Sequence, residues 1–312
     1  MNKLKKIGLT ALAGTLVAGT VNAAEMTVTG SASINLTGLD SSENTGNGFT
    51  MGDSLTFSAS GDVNDIGITL SYEIDGLGGA TDNVDDHSIT LDFGDAGTLV
   101  FAGHGGSSAL SARDDVMPTA KEEPWDVVTG GDDDIINGQT QEDMFTYTYA
   151  HDSGFTFVAS YINAQGTESD VSYNDFAIEY TGIDGLRLGY AAGTVEINTG
   201  TEIDEDTMFA TYAMGGLTVG IQVSEADSTA VNADTESTGF GVSYQVTDDL
   251  AVSYGNHEID YATNDDQEAY AVGVSYTMGS IGLSGTFNSV DNVSNVNASD
   301  LQSYELGVSF AF

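Results

Sequence analysis

Between residues 105 and 141 the chain gathers eight carboxylates around two cations, Arg113 and Lys121. The acids are Asp114, Asp115, Glu122, Glu123, Asp126, Asp132, Asp133 and Asp134. Such an excess can bind a hard cation, trade protons in a reaction, or set up a field. Asp132, Asp133 and Asp134 offer the oxygen ligands that Ca2+ and Mg2+ take. Three adjacent carboxylates cannot all turn toward one ion, and no EF-hand spacing surrounds them, so they are weak Ca2+ candidates. A solvated surface is the expectation there, and no cofactor is expected. His87, His104, His151 and His257 are scattered without metal-ligand spacing. No Ser-His-Asp or paired-carboxylate arrangement stands out from so acidic a background, so no catalytic residue is assigned and no enzyme is expected. The field is the remaining use. An acidic segment beside a low-dielectric wall concentrates cations, and rings of Asp and Glu favour cations in a pore.

The same stretch holds both prolines, Pro118 and Pro124, and the single tryptophan, Trp125. Trp125 is expected to anchor the segment to a wall or to sit in a subunit contact, where its buried area would rigidify the chain. The prolines lower its conformational entropy. A long segment without regular structure is uncommon inside a compact domain and is usually functional. Its role depends on the elements at either end.

The 312-residue chain carries 48 Asp and Glu against 6 Lys and Arg, for a formal charge of −42, and has no cysteine. That charge excludes nucleic-acid binding, because nothing could neutralise a phosphate backbone. Aromatic and aliphatic residues recur periodically, so the chain folds despite its acidity. Residues 1–24 read as a signal peptide: Lys3, Lys5 and Lys6, an apolar run from Ile7 to Val21, then Val21-Asn22-Ala23 as a cleavage site. Beyond it the only cations are Arg113, Lys121 and Arg187.

Residues 25–312 read as one domain of alternating strands. Period-two patterning recurs at 26–36, 54–60, 66–74, 88–93, 98–104, 143–150, 155–161 and 175–180. It continues at 186–194, 207–214, 217–223, 239–246, 250–257, 269–278, 281–287 and 303–312. The connections alternate strictly between short Gly- and Asp-rich turns and long loops. That rhythm suits an up-and-down antiparallel barrel crossing a membrane, with sixteen strands and turns on one side. In 217–223 the apolar residues share one face while Thr218, Gly220 and Gln222 share the other. Aromatics near strand ends (Tyr147, Tyr149, Tyr161, Tyr180, Phe93) suit interfacial girdles. About sixteen strands also enclose more space than side chains fill. The apolar face is therefore expected outward. A five-residue turn at 181–185 would set Glu179 opposite Arg187 on the lumen face as a cross-strand ion pair.

The terminal strand alternates Tyr304, Leu306, Val308, Phe310 and Phe312 and ends the chain on phenylalanine. It resembles the signal, carried here by Tyr304, Phe310 and Phe312, by which the outer-membrane assembly machinery recognises barrels. With the long segment after the fifth strand, the whole mature chain resembles the general porins of Gram-negative outer membranes, specifically the sixteen-stranded trimeric type of alphaproteobacteria. The resemblance implies a homotrimer amid outer-membrane lipid and lipopolysaccharide, passing small hydrophilic solutes passively. It also implies that the third long loop, residues 105–141, folds into the lumen as a constriction. In the family that acidic loop faces a basic cluster on the wall. Here Arg187 is the only basic residue on a predicted strand, so cation preference is expected. Rival readings are a channel specific for a cationic nutrient, a barrel hydrolase with a strand count near twelve, and a loop-bearing adhesin.

Overall fold

The structure is a computed structural model that describes residues 25–39, 48–76, 84–114, 116–121, 123–124, 135–136, 140–141, 143–163, 172–197, 201–230, 233–263, 265–293, 296 and 300–312. The expected signal peptide lies outside these residues. Sixteen strands among them close a barrel. The first eight are β1 (Glu25–Leu39), β2 (Phe49–Val63), β3 (Ile66–Asp75), β4 (Val84–Asp92), β5 (Thr98–His104), β6 (Met144–Ala150), β7 (Phe155–Ile162) and β8 (Ser172–Tyr180). The rest are β9 (Leu186–Ile197), β10 (Thr201–Met214), β11 (Leu217–Ser228), β12 (Thr235–Thr247), β13 (Leu250–Tyr261), β14 (Gln267–Met278), β15 (Ile281–Asp291) and β16 (Leu301–Ala311). Each strand pairs antiparallel with its neighbours in sequence, β5 with β6 across the long loop, and β16 returns to β1.

Closure at the seam is tight. Beyond the Ser31–Ala311 pair, Phe312 N–H donates to Gly30 O at 3.0 Å and Gly30 N–H donates to Phe312 O at 2.8 Å. A Cβ on Gly30 would lie 2.8 Å from the Phe312 ring, so only glycine seats that ring without displacing it. Tyr304, Phe310 and Phe312 sit on the outer face of this last segment, all exposed.

Face assignment follows from exposure. Ile34, Met51, Leu70, Phe176, Ile221, Phe240, Val272 and Leu306 are exposed around the whole circumference. A continuous apolar belt of this kind cannot face water in a soluble monomer, whereas a membrane barrel requires it. The inner positions include many Ser, Thr, Gly, Asn and Gln, as the period-two pattern predicts, with an apolar patch under the loop root.

Strands β10 to β13 run on past the alternating apolar residues, to Thr201, Ser228, Thr235 and Tyr261 at their long-loop ends. Their outward positions there are acidic, including Asp206, Glu225, Glu236 and Glu258. The ladder continues where the wall leaves hydrocarbon, because backbone pairing needs no apolar partner in water. Hydrophobic periodicity stops at that boundary, which is why it underestimates these strands.

The turn side is built as expected, and more tightly. Asn64 and Asp65, both with positive φ (52° and 65°), make a two-residue hairpin between β2 and β3. That is the twist-matched turn for which Asn and Asp are suited. The β8–β9 register differs from the five-residue expectation: Tyr180 stands opposite Leu188 and Glu179 opposite Gly189. A shift of two residues keeps every side chain on its own face, so Arg187 still reaches Glu179 diagonally.

Candidate pore constriction

The loop between β5 and β6 starts at Gly105 (φ 67°) and is pinched at its feet, where Gly106–Ser107 pairs with Thr140–Gln141. Its root then meets the inner wall. The Asp175 carboxylate of β8 accepts the Leu110 N–H at 2.6 Å and the Ala109 N–H at 3.2 Å, and Ser160 Oγ of β7 accepts the latter at 2.8 Å. Beneath lies an apolar patch inside the lumen, where Ala109, Leu110 and Ile136 cover Val158, Ala177 and Ala191. These are inner-facing wall residues that would otherwise line water. The patch therefore pulls the loop root onto β7–β9 by the same effect that holds a small core together.

Arg113, at the end of a short 3-10 turn (Ser111–Arg113), is buried. Its Nη1 donates to Ala109 O at 2.9 Å and its Nη2 meets Glu179 Oε1 at 2.8 Å. Glu179 also takes Arg187, with Nε to Oε2 at 2.8 Å and Nη2 to Oε1 at 3.1 Å. The expected Glu179–Arg187 contact exists, and the loop adds a second guanidinium to it. The Arg187 guanidinium carbon lies 4.7 Å from the centre of the Phe209 ring, which completes its seat.

From there the described loop residues cross β11 to β16. Gln222 Nε2 donates to the carbonyls of Arg113 (2.8 Å) and Asp114 (2.9 Å), while its Oε1 accepts the Val116 N–H at 3.4 Å. Ser253 Oγ accepts the Ala120 N–H at 2.8 Å, and Asn288 Nδ2 donates to Glu123 O at 2.6 Å and Pro124 O at 3.3 Å. Lys121 Nζ stands 3.4 Å from Glu305 Oε1. Each prolyl ring rests where the wall has no side chain. A Cβ on Gly220 or Gly241 would sit 2.6 or 2.9 Å from Pro118, and one on Gly255 would sit 2.7 Å from Pro124. The wall thus reads the loop through its backbone and makes room for it with glycine.

Of the sequence-predicted residues, Arg113, Asp114, Lys121 and Glu123 lie along this docked path, and Arg187 flanks its root. Asp115, Glu122, Trp125, Asp126, Asp132, Asp133 and Asp134 lie outside the described residues. Sequence reasoning missed Asp175, Gln222, Ser253 and Asn288. For Gln222 and Ser253 the signal was the inner row of β11–β13, where Gly220, Gly239, Gly241 and Gly255 leave room for something to approach; Asp175 on β8 and Asn288 on β15 had none.

The sequence profile of the Gram-negative porins matches residues 8–267. The chain belongs to the Gram-negative porin family. It is a channel protein of the bacterial outer membrane. No curated protein sequence matches it. Among solved structures this porin is similar to the in-vitro folded trimer form of OmpT, an outer membrane protein of Vibrio cholerae. That match has 12% identity, covers 93% of this chain and 100% of that one, and has a TM-score of 0.71. An anion-selective porin from Comamonas acidovorans matches at 16% identity, with coverage of 93% and 100% and a TM-score of 0.69. OmpF of Salmonella typhi, in complex with daunomycin, matches at 13% identity, with coverage of 92% and 97% and a TM-score of 0.69. Identities this low speak for the barrel alone.

Proposed function

We propose that this porin passes small hydrophilic solutes by passive diffusion and favours cations, with the loop at 105–141 as its constriction. The observation that carries the selectivity is the state of the cations. Beyond residue 24 the chain has Arg113, Lys121 and Arg187 against 48 carboxylates. Arg113 and Arg187 share Glu179, and Lys121 is beside Glu305. Every cation of residues 25–312 therefore meets a carboxylate. The acids of the loop, Asp114, Asp115, Glu122, Glu123, Asp126, Asp132, Asp133 and Asp134, supply the excess negative field. Arg113 and Lys121 shape the loop in this reading, and Arg187 supports its root.

Reversal potential across a planar bilayer under a KCl gradient tests this directly. A cation-selective potential is expected, reduced in a variant with Asp114, Asp115, Glu122 and Glu123 amidated. An anion-selective or unchanged potential rejects the loop as filter. Anion selectivity is a property of the Comamonas porin, and the charge inventory here argues for the opposite sign.

A homotrimer is part of the same proposal, supported by the trimer form of the Vibrio cholerae relative. Unheated electrophoresis should show one band near three times the monomer mass, collapsing on boiling. The terminal strand, with Tyr304, Phe310 and Phe312 outward, is proposed as the segment offered to the assembly machinery. Lipid and lipopolysaccharide are proposed to cover the outer belt. The sixteen-strand count removes the feature that would have favoured a barrel hydrolase.

A further inference from the structure

We propose that the lumen holds a binding subsite for a neutral polyhydroxylated solute of monosaccharide size, where β14, β15, β16 and β1 lie side by side. The inference rests on the reading of the chain as an open channel, and names a class of solute for it. A recess of about 270 Å3 opens there, close to the lower end of the roughly 300–1,000 Å3 clefts that hold small organic ligands. Its polar lining is Ser33, Asn35, Ser275, Thr277, Ser284 and Ser309.

The pairing register arranges these residues in two parallel rows across four strands. Ser275 stands opposite Ser284, Ser284 opposite Gly307, and Gly307 opposite Asn35. In the next inner row Thr277 stands opposite Gly282, Gly282 opposite Ser309, and Ser309 opposite Ser33. Strand spacing sets neighbours in a row about 4.8 Å apart, and two residues of rise set the rows about 6.7 Å apart. That mesh presents donors and acceptors over a flat area, which suits a ring whose hydroxyls radiate in one plane.

Each row has one glycine, and those glycines make the recess. A Cβ on Gly307 would lie 2.7 Å from Ser284 Oγ and 3.0 Å from Asn35 Oδ1, and one on Gly282 would lie 2.5 Å from Ser309 Oγ. The hydroxyls lean over space that any other residue would fill. Lys121 lines the recess from the loop, giving it a second wall. With its ammonium 3.4 Å from Glu305, that charge is locally balanced, so the recess itself offers hydrogen bonds rather than an uncompensated charge. A neutral solute gains from that arrangement; a charged one has no counter-ion left to use.

The test is single-channel recording of the wild-type porin with D-glucose as probe, corrected for the bulk conductivity of the same solution, beside sodium gluconate and glucosamine. Conductance should fall along a saturating curve with glucose. Gly307→Leu, which fills the recess, should abolish saturation while lowering KCl conductance less than about twofold. The double variant Ser284→Ala with Ser309→Ala, which removes hydroxyls without adding bulk, should raise the half-saturating concentration about tenfold through two lost hydrogen bonds. A linear response in the wild type overturns the subsite while leaving the channel reading intact. Equal saturation in wild type and both variants overturns its location. Tighter saturation by gluconate or glucosamine than by glucose overturns the neutral class. Failure of the wild type to conduct at all sinks the channel reading and the subsite with it.

Discussion

The inner faces of β1–β3 and of β11–β15 are built from much the same residues and serve different ends. On β1–β3 the lumen-facing row includes Ser31, Ser33, Ser54, Thr56, Thr69 and Ser71, and none of its members is buried. On β11–β15 the equivalent row includes Gln222, Ser237, Ser253, Thr286 and Asn288, and all five are buried. Polarity does not separate the two walls. What the glycines face does, because Gly220, Gly241 and Gly255 cut a trough into which Pro118 and Pro124 settle, whereas Gly52 and Gly67 meet only wall side chains. The covered wall also adds amides that reach the loop's backbone. A small polar side chain can thus serve as lining or as scaffold, and its row neighbours decide which.

The contrast can be broken most severely at Glu179. Glu179→Gln leaves Arg113, with a side chain only 10% exposed, without its carboxylate. Removing one partner of a buried pair costs about 3–5 kcal/mol, so urea unfolding in lipid vesicles should shift by an amount in that range. Next comes Gln222→Ala, which strips the donor from two loop carbonyls; leaving them unsatisfied costs about 1–3 kcal/mol. Single-channel traces of that variant should show added open-state noise. Gly241→Val acts on space, since its first carbon would sit 2.9 Å from Pro118 Cδ and 3.0 Å from Pro118 O. It should move the loop and change unitary conductance by about twofold. The smallest effect is expected on the open wall, where Ser58→Ala should leave unfolding within about 0.5 kcal/mol of wild type. A Ser58→Ala penalty matching that of Gln222→Ala would erase the distinction between the walls.

Much of the barrel was legible in the residue pattern, because a half-buried strand writes its period into the sequence. Sixteen runs follow from that period, while the outward direction of Ile221 and Phe240 needed the aromatics at strand ends and the strand count beside it. The Glu179–Arg187 contact was legible for a subtler reason. Parity fixes the face, so an error of two in register still leaves both side chains in the lumen. What did not show was the length of β10–β13, since Asp206 and Glu258 stand outward where water replaces lipid and the apolar signal ends. The docking partners of the loop did not show either. Inner glycines announce close approach without saying what approaches, and a side-chain amide that grips a backbone carbonyl is indifferent to the loop's sequence. Gln222 and Asn288 therefore left no complementary pattern in residues 105–141.

The seam has a temporal consequence. Gly30, near the start of the first strand, exchanges both of its backbone hydrogen bonds with Phe312, the last residue of the chain. Those contacts span nearly the whole sequence, the most non-local pairing this topology offers, and non-local pairing is slow to form. Every other strand pairs with its neighbour in sequence, β5 with β6 across the long loop. The ring shuts only when β16 meets β1, from Ser31 opposite Ala311 to Leu39 opposite Ser303, and until then the sheet keeps two raw edges. One pairing, β16 on β1, thus removes both edges at once and turns an open sheet into a sealed wall.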